Sequence, residues 1–388
     1  KGKKVVANFR FPTGTLESLN GTSETAAVLS SLLKAGTTTK SKEQLQDELD
    51  KLRSQVSLYL SGQTLAVNVS SYEDTFEATM KLVKDMLTNA TFPEAEFKKN
   101  VDEMKTNIEA SRNDPQSVAM GQIGRYTTKY PKGHLFYSAS PDEEIAGLNA
   151  VTIAKVKELY KTLGSNYGYG SVVSGLSADK VKSIVSSTFD GWTTKAKYVK
   201  IQPTFFPTKT QVEKINTPDK ENGVVMAQMN YELDRKSPDY PALLMADAIL
   251  GSGGFLNARI PLRLREKEGI SYGAGSFASV PYDNKVAGWG VYAFFNPKFQ
   301  EKVDAAIREE IANALKSGFT QEELDAHKKS WYTGRKTNLG SDGFLSSTLV
   351  NNLLNLGIPL EEYDTLEKQV EALTLEQVNR ALRKNVSP

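Results

Sequence analysis

The residues best suited to chemistry lie in one stretch, Gly251-Ser-Gly-Gly-Phe-Leu-Asn-Ala-Arg-Ile-Pro-Leu-Arg-Leu-Arg-Glu-Lys-Glu-Gly-Ile-Ser-Tyr-Gly273. A glycine-rich turn opens it. A short amphipathic helix with Arg259, Arg263 and Arg265 follows, and a second turn at Gly269 leads into a strand. Arg265 and Tyr272 stand on either side of that second turn, where a planar cationic fork and a phenol can converge on one carbonyl oxygen or carboxylate. The same spacing admits a plainer reading, in which Arg265 pairs with Glu268 or Glu266 and Tyr272 is a half-buried strand residue. Gly251, Gly253 and Gly254 would let a peptide approach the backbone or let the chain hinge. They can equally form a helix C-cap and loop. No Gly-Lys-Ser/Thr follows them, which argues against a phosphate loop.

The rest of the composition narrows the chemistry. There is no cysteine, so disulfides, thiolate nucleophiles and Cys-ligated zinc are excluded. Only two histidines occur, His134 and His327, which rules out a three-histidine metal site within the chain and leaves a serine triad only these two as base. His134 follows Pro-Lys-Gly in a loop and His327 lies in a charged helix, Glu-Glu-Leu-Asp-Ala-His-Lys-Lys. Both are expected to be surface or loop histidines. Lys plus Arg is 48 against 46 for Asp plus Glu, a net charge of +2, which gives no reason to expect nucleic acid or an anionic membrane as partner. No apolar run reaches the roughly 18 residues that a membrane span needs. The N-terminus runs from Lys-Gly-Lys-Lys straight into a strand-like segment with no leader, as in a mature exported protein. A segment cut from a longer chain would begin the same way. Together with the lack of cysteine, this favours a bacterial periplasmic or exported protein, with a cytoplasmic one as the alternative.

These residues must be positioned by a chain of 388, which is long for a single core and suggests two domains. Residues 4–10 alternate like a strand, and 55–60 and 64–70 read as a hairpin around Ser61-Gly62. Thr22 or Ser23 caps a helix running to about Ala35, Ser41 caps another, and Pro93 opens a longer one that stops at Asn113-Asp-Pro115. A strand over 168–174 and a helix over 178–189 follow. The aperiodic stretch 190–215, with its prolines, reads as a linker. Beyond it come a strand over 223–233, a helix from Pro241 to about Leu250, the Arg/Tyr stretch, strands at 272–280 and 286–295, and a helical end.

Repetition outweighs any single motif. Phe76-Glu-Ala-Thr-Met matches Phe299-Gln-Glu-Lys-Val, Phe92-Pro-Glu-Ala-Glu matches Phe319-Thr-Gln-Glu-Glu, and Thr152-Ile-Ala-Lys-Val matches Thr374-Leu-Glu-Gln-Val. All three lie at nearly one offset, about 225 residues, the mark of a duplicated unit. The expected fold class is therefore α+β. It consists of two tandem homologous units, each a mainly antiparallel sheet with helices packed on one face. The expected boundaries are a first unit over 1–195, a linker over 196–215 and a second unit over 216–388. The C-terminal copy ends soon after its Thr374 helix, whereas the N-terminal one has a further strand and helix. The C-terminal copy therefore reads as cropped, and its sheet is expected to lack a strand or expose an edge.

The duplication, with Arg259-Ile-Pro-Leu-Arg-Leu-Arg265-Glu-Lys-Glu-Gly269-Ile-Ser-Tyr272 in the C-terminal copy, resembles the pitrilysin/insulinase family of zinc metallopeptidases (inverzincins) over essentially the whole chain. The resemblance implies that Arg265 and Tyr272 hold the substrate backbone and that the two units form half of a clamshell. It also implies a zinc site of the form H-x-x-E-H on a first-unit helix, with a later carboxylate as a further ligand. Here Ala27 and Ser31 stand where the two histidines would be and Ser30 where the glutamate would be. The later ligand, counted back from Asn113-Asp-Pro115, falls on Asn107, with Glu103 and Glu109 nearby. Alanine cannot ligate and serine is a poor zinc ligand, so no metal is expected on this chain. The implied function is the zinc-free half of a two-part peptidase, inactive alone, whose zinc-bearing partner carries H-x-x-E-H and cuts the peptide that Arg265 and Tyr272 hold. The rival readings are a purely structural assembly subunit without substrate contact and a standalone peptide-binding module.

Overall fold

The computed structural model describes residues 3–254 and 257–386. Phe255 and Leu256 of the glycine-rich turn lie outside them. The chain forms two compact units. One gathers Lys1–Glu109, Tyr130–Ile201 and Asn338–Ile358, and the other gathers Ala110–Lys129, Gln202–Thr337 and Pro359–Pro388. Each unit thus keeps most of one sequence half and takes one segment from the other half. The stretch expected to link them is divided as well. Val199 and Ile201 are fixed to the first unit by Gln63, whose side chain donates to the Val199 carbonyl and accepts from the Ile201 amide.

The first unit is built on a four-stranded antiparallel sheet. Its strands are β1 (Lys4–Pro12), β2 (Gln55–Ser61), β3 (Thr64–Tyr72) and β4 (Tyr169–Val173), in the order β2-β3-β1-β4. The period-two pattern decides which face is covered. Val5, Ala7, Phe9 and Phe11 of β1 and Val56, Leu58 and Leu60 of β2 are buried in one core with Leu29, Leu32, Phe76 and Met80 of the helices. Phe9 and Phe11 both meet the Phe189 ring at 4.9 Å.

The opposite face is covered too, which corrects the expectation of helices on one face only. Asn8 on that face donates to Ser346 Oγ at 2.7 Å, and the Ser171 hydroxyl donates to the Ser346 carbonyl at 2.8 Å. Ser346 lies in the helix Asp342–Thr348 and is fully buried. The physical reason is the pleat. Asn8 and Ser171 point away from the core, and the exchanged segment supplies the partners that a buried amide and a half-buried hydroxyl take up.

The second unit has a three-stranded antiparallel sheet made of β5 (Gly223–Glu232), β6 (Gly273–Ser279) and β7 (Val286–Phe295), in the order β5-β7-β6. Ala287, Trp289, Val291, Ala293 and Phe295 of the central strand are buried with Met245, Ile249, Leu250 and Leu324. The helices Tyr240–Asp247, Gln300–Ser317, Gln321–Leu339 and Leu375–Asn385 supply the other layer of this core.

Candidate functional site

The Arg/Tyr stretch is held to the second unit at three places. Its first anchor is Gly251, which is buried beside β6. A Cβ there would stand 2.3 Å from the Ser276 amide nitrogen, so only glycine allows this approach of backbone to backbone. The second anchor is Arg259. Its Nε and Nη2 donate to the two Glu323 carboxylate oxygens at 2.6 and 2.7 Å, and Nη2 also donates to the Gly318 carbonyl at 3.0 Å. The third is Arg263, which pairs with Glu268 at 2.7 Å, Glu309 at 2.6 Å and Glu310 at 3.2 Å. Its guanidinium is held above its ordinary pKa, first by the Glu268 hydrogen bond, and remains charged.

Between these anchors the helix begins at Arg259–Pro261 and continues with wider π-type turns over Leu262–Lys267. Leu264 is its buried knob, and the Ile270 and Ser271 amides both donate back to the Leu264 carbonyl, which closes the turn. Gly269 sits at φ +63°, in the left-handed region a residue with a Cβ enters at a cost, and gives the chain its bend into β6. The Tyr272 amide then donates to the Phe294 carbonyl at 2.8 Å.

The outcome is a division among the arginines. Arg259 and Arg263 are structural. Arg265 is exposed, and the Glu266 carboxylate stands 3.7 Å from its Nε, longer than any ion pair made by the other two. Tyr272 is 61% exposed, so it is not the half-buried strand residue of the plainer reading. The Glu268 carboxylate goes to Arg263. The structure thus puts both side chains at the surface of the second unit, at the two ends of one turn whose backbone is pinned.

The glycines behave differently from one another. Gly253 is wedged against His327, whose Nδ1 would lie 2.3 Å from a Cβ at 253, whereas a Cβ at Gly254 would meet nothing, although φ there is +103°. His327 corrects the sequence reading. It is 2% exposed rather than a surface residue, because Leu324, His327 and Trp331 lie on one face of their helix and that face is turned inward. The spacing of those three residues was the available signal. Together with Leu244, Ser252 and Gly253, His327 and Trp331 line a cavity of about 340 Å³. His134 is a loop residue, stacked on Tyr130 at 4.3 Å, and its Nδ1 accepts from the Phe136 amide.

Asp247 drew no attention in the sequence, yet it is buried. Its Oδ1 accepts from Ser276 Oγ at 2.6 Å and from Trp289 Nε1 at 2.9 Å. Burial pushes its carboxyl above the ordinary value, against the hydrogen bonds to Ser276, Ser252 and Trp289. A lone carboxylate in the apolar run Pro-Ala-Leu-Leu-Met-Ala-Asp-Ala-Ile-Leu was the sign of it.

In the first unit, the helix Ser23–Leu32 carries the positions that would hold zinc. Ala27 presents a methyl group to solvent. Ser30 Oγ donates to the Ala26 carbonyl at 2.7 Å and accepts from the Leu60 amide at 2.8 Å, while Ser31 Oγ donates to the Val28 carbonyl at 2.8 Å. Asn107 is exposed. A methyl, two hydroxyls committed to backbone and a neutral amide do not suit a divalent metal. Among the described residues no three His, Asp or Glu side chains are grouped so as to hold one.

Comparison with known proteins fits this architecture. Residues 14–137 match the family model for insulinase (peptidase family M16), and residues 150–330 match the model for the peptidase M16 inactive domain. An uncharacterized zinc protease, YmxG, of Bacillus subtilis is 22% identical over 349 residues, which is 90% of this chain and 82% of that protein. A non-peptidase homolog of Helicobacter pylori is 25% identical over 185 residues, 46% of this chain and 40% of that protein. Among solved structures, the peptidase M16 inactive domain from Pseudomonas fluorescens superimposes with a TM-score of 0.82 at 21% identity, covering 99% of this chain and 90% of that one. With both of its halves matched to models of one family and its fold shared along nearly its whole length, the chain belongs to the insulinase, or M16, peptidase family.

Proposed function

We propose that this chain is the zinc-free half of an M16-type peptidase, one side of a clamshell whose other side is a homologous subunit bearing H-x-x-E-H. Alone it cleaves nothing. Arg265 and Tyr272 donate hydrogen bonds to the backbone of an extended peptide, while the partner's metal site performs the cut. The observation that carries this reading is exposure around one short turn. Arg265 and Tyr272 both present their side chains at the surface of the second unit, at the two ends of a turn that the Leu264 carbonyl closes. An exposed phenol and an exposed guanidinium on hydrogen-bonded backbone are two donors that a peptide can reach. In a water-poor chamber each donor is worth on the order of 2–4 kcal/mol of transition-state stabilisation.

The first unit supports the same reading. In its helix Ser23–Leu32, Ser30 accepts from the Leu60 amide of β2, and Lys34, just past the helix end, donates to the Val56 carbonyl of the same strand. The test is reconstitution. The chain purified alone should retain no stoichiometric zinc and cut no peptide. Co-purified with its H-x-x-E-H partner, Arg265→Ala or Tyr272→Phe should lower peptide turnover at least about tenfold, or 1.4 kcal/mol, with assembly intact. Unchanged turnover in both variants removes the substrate grip and leaves an assembly subunit.

A further inference from the structure

The face of the first sheet that turns away from its core carries a guanidinium with no counter-ion. Phe9 and Phe11 are buried in the core, so Arg10 between them projects to the other side. The register sets four residues of that side in one row across the sheet. Tyr59 stands opposite Ala66, Ala66 opposite Arg10, and Arg10 opposite Tyr169. Neighbours in such a row are about 4.5–5.5 Å apart. Arg10 Nη1 donates to the Phe9 carbonyl and to Asn68 Oδ1, both at 2.9 Å, which orients the guanidinium plane. Its Nε–Nη2 edge has no acceptor among the described residues. That edge is the fork that matches the two oxygens of a carboxylate, and Arg259 uses the same edge on Glu323.

The surroundings decide what the fork can take. Of the residues that share this face in β1 to β4, only Lys4, at the far end of β1, also carries a charge, and none is acidic. Two phenols belong to the row. Tyr59 is 42% exposed. Tyr169 is half-buried; burial and then Tyr198 hold its phenol above the ordinary value against the pull of Arg10, so it stays a donor at neutral pH. A half-buried cation without an anion loses hydration and gains no pairing in return. A carboxylate supplies both oxygens that the free edge lacks. A dianionic phosphate would call for more than one cation, and Arg10 is the only one in the row.

We propose that this row is a carboxylate subsite, in which the Nε–Nη2 edge of Arg10 takes the acidic side chain of an extended peptide and the phenols of Tyr59 and Tyr169 donate beside it. Asn68 is a positioning residue, since it touches the guanidinium and not the ligand. That the carboxylate arrives on a peptide rests on the function proposed above. To that function the subsite adds a preference for Asp or Glu in the part of the peptide that lies on the first sheet.

The test uses the unaltered chain alone and two heptapeptides capped at both ends, identical except for Glu or Gln at the centre, in calorimetric titrations at about 0.15 M salt to screen remote charges. The Glu peptide should bind at least about tenfold more tightly than the Gln peptide. In Arg10→Met the ratio should fall below about twofold, whereas Arg265→Ala should weaken both peptides alike and keep the ratio. A version of the Glu peptide with a benzophenone beside the Glu should, on irradiation, attach to the strands that carry Tyr59 and Tyr169, a readout that needs no variant to fold. Equal affinities, no binding of either peptide, a ratio that survives Arg10→Met or is lost in Arg265→Ala, or attachment only elsewhere would each overturn the proposal. So would acetate that displaces the Gln peptide as well as it displaces the Glu peptide. A grip that Arg265→Ala leaves untouched refutes the earlier reading of Arg265 without touching the ratio set by Arg10, so the two failures are told apart.

Discussion

Replacing Arg259 by methionine tests the most heavily used contact in the segment that bears Arg265. The guanidinium makes two hydrogen bonds to Glu323 and one to the Gly318 carbonyl, and it lies 4.9 Å from the Phe319 ring centre. Methionine keeps most of the apolar stem and removes all three donors. Bonds to charged groups contribute about 1.5–3 kcal/mol each when buried. The side chains here are 18% and 26% exposed, so water recovers part of the loss at Glu323. The net cost should be about 2–3 kcal/mol, between the values for surface and fully buried pairs. In thermal unfolding this lowers the transition of the second unit by roughly 5–10 °C.

The pair also fixes a pH dependence. Burial alone would raise the Glu323 carboxyl, but the Arg259 bonds and the Thr320 amide outweigh it and hold the pKa below the ordinary 4.5. A carboxyl with a depressed folded pKa stabilises fully above its unfolded value and loses that contribution as pH falls through the folded one. The coupling in the cycle Arg259→Met, Glu323→Gln and the double variant, read from urea unfolding, should therefore be constant from pH 6 to 8 and shrink below about pH 4.5. Arg308→Met is the internal control. Its pair with Asp304 is 62% and 48% exposed, so it should cost less than about 0.5 kcal/mol. If Arg259→Met costs no more than Arg308→Met, or the coupling is unchanged at pH 3, the account of this anchor is wrong.

Four further outcomes follow from individual contacts. Gly251→Ala should destabilise the second unit by about 2–4 kcal/mol, because the methyl meets strand backbone rather than a side chain that can turn aside. Gly254→Ala should cost only about 1–2 kcal/mol, from its positive φ alone, and equal losses in urea unfolding would contradict the contact. Asp247→Asn keeps an acceptor for Ser276 and Trp289 and removes a carboxylate that burial disfavours. A raised folded pKa makes the native chain lose stability as pH rises above 3.8, so the variant should show a flatter dependence of Tm on pH between 4 and 7, and an unchanged slope would refute the assignment. Ser346→Ala removes the hydroxyl that Asn8 bonds in the first sheet and should cost about 1–3 kcal/mol in denaturant unfolding; a neutral result would show the exchanged segment to be held by apolar contacts instead.

Much of this was legible in the order of residues, for reasons that are local. Alternation in β1 and β2, capping at Ser41 and Thr374, and the turns at Gly62 and Gly269 are nearest-neighbour physics, and the elements lie where that physics puts them. What could not be read is what depends on partners distant in the chain. Nothing near Asn8 announces that Ser346, 338 residues away, will be its partner, so the contiguous division into 1–195 and 216–388 misses the exchanged segments. Nothing beside Arg259 names Glu323. His327 sits among charges that point outward, and only its spacing from Leu324 and Trp331 reveals that it turns in.

Ser30 shows why the first unit is more than an enzyme with its ligands erased. β2 is an edge strand, and an edge exposes unpaired amides and carbonyls that invite another strand. Ser30 Oγ accepts from the Leu60 amide, and Lys34, just past the end of that helix, donates to the Val56 carbonyl at 3.0 Å. The helix face that resemblance would assign to metal chemistry thus works as a clasp on the sheet edge. Writing His, Glu and His at 27, 30 and 31 would remove the hydroxyl from that clasp and place a longer, charged side chain against β2. It would still lack a carboxylate at 107. The triple variant should therefore unfold more readily than the unaltered chain in urea, by about 1–2 kcal/mol for the lost Leu60 bond and the crowding beside it. If it instead matched the unaltered chain in stability and took up stoichiometric zinc, the helix would still be a metal scaffold and its present role at the edge would be incidental.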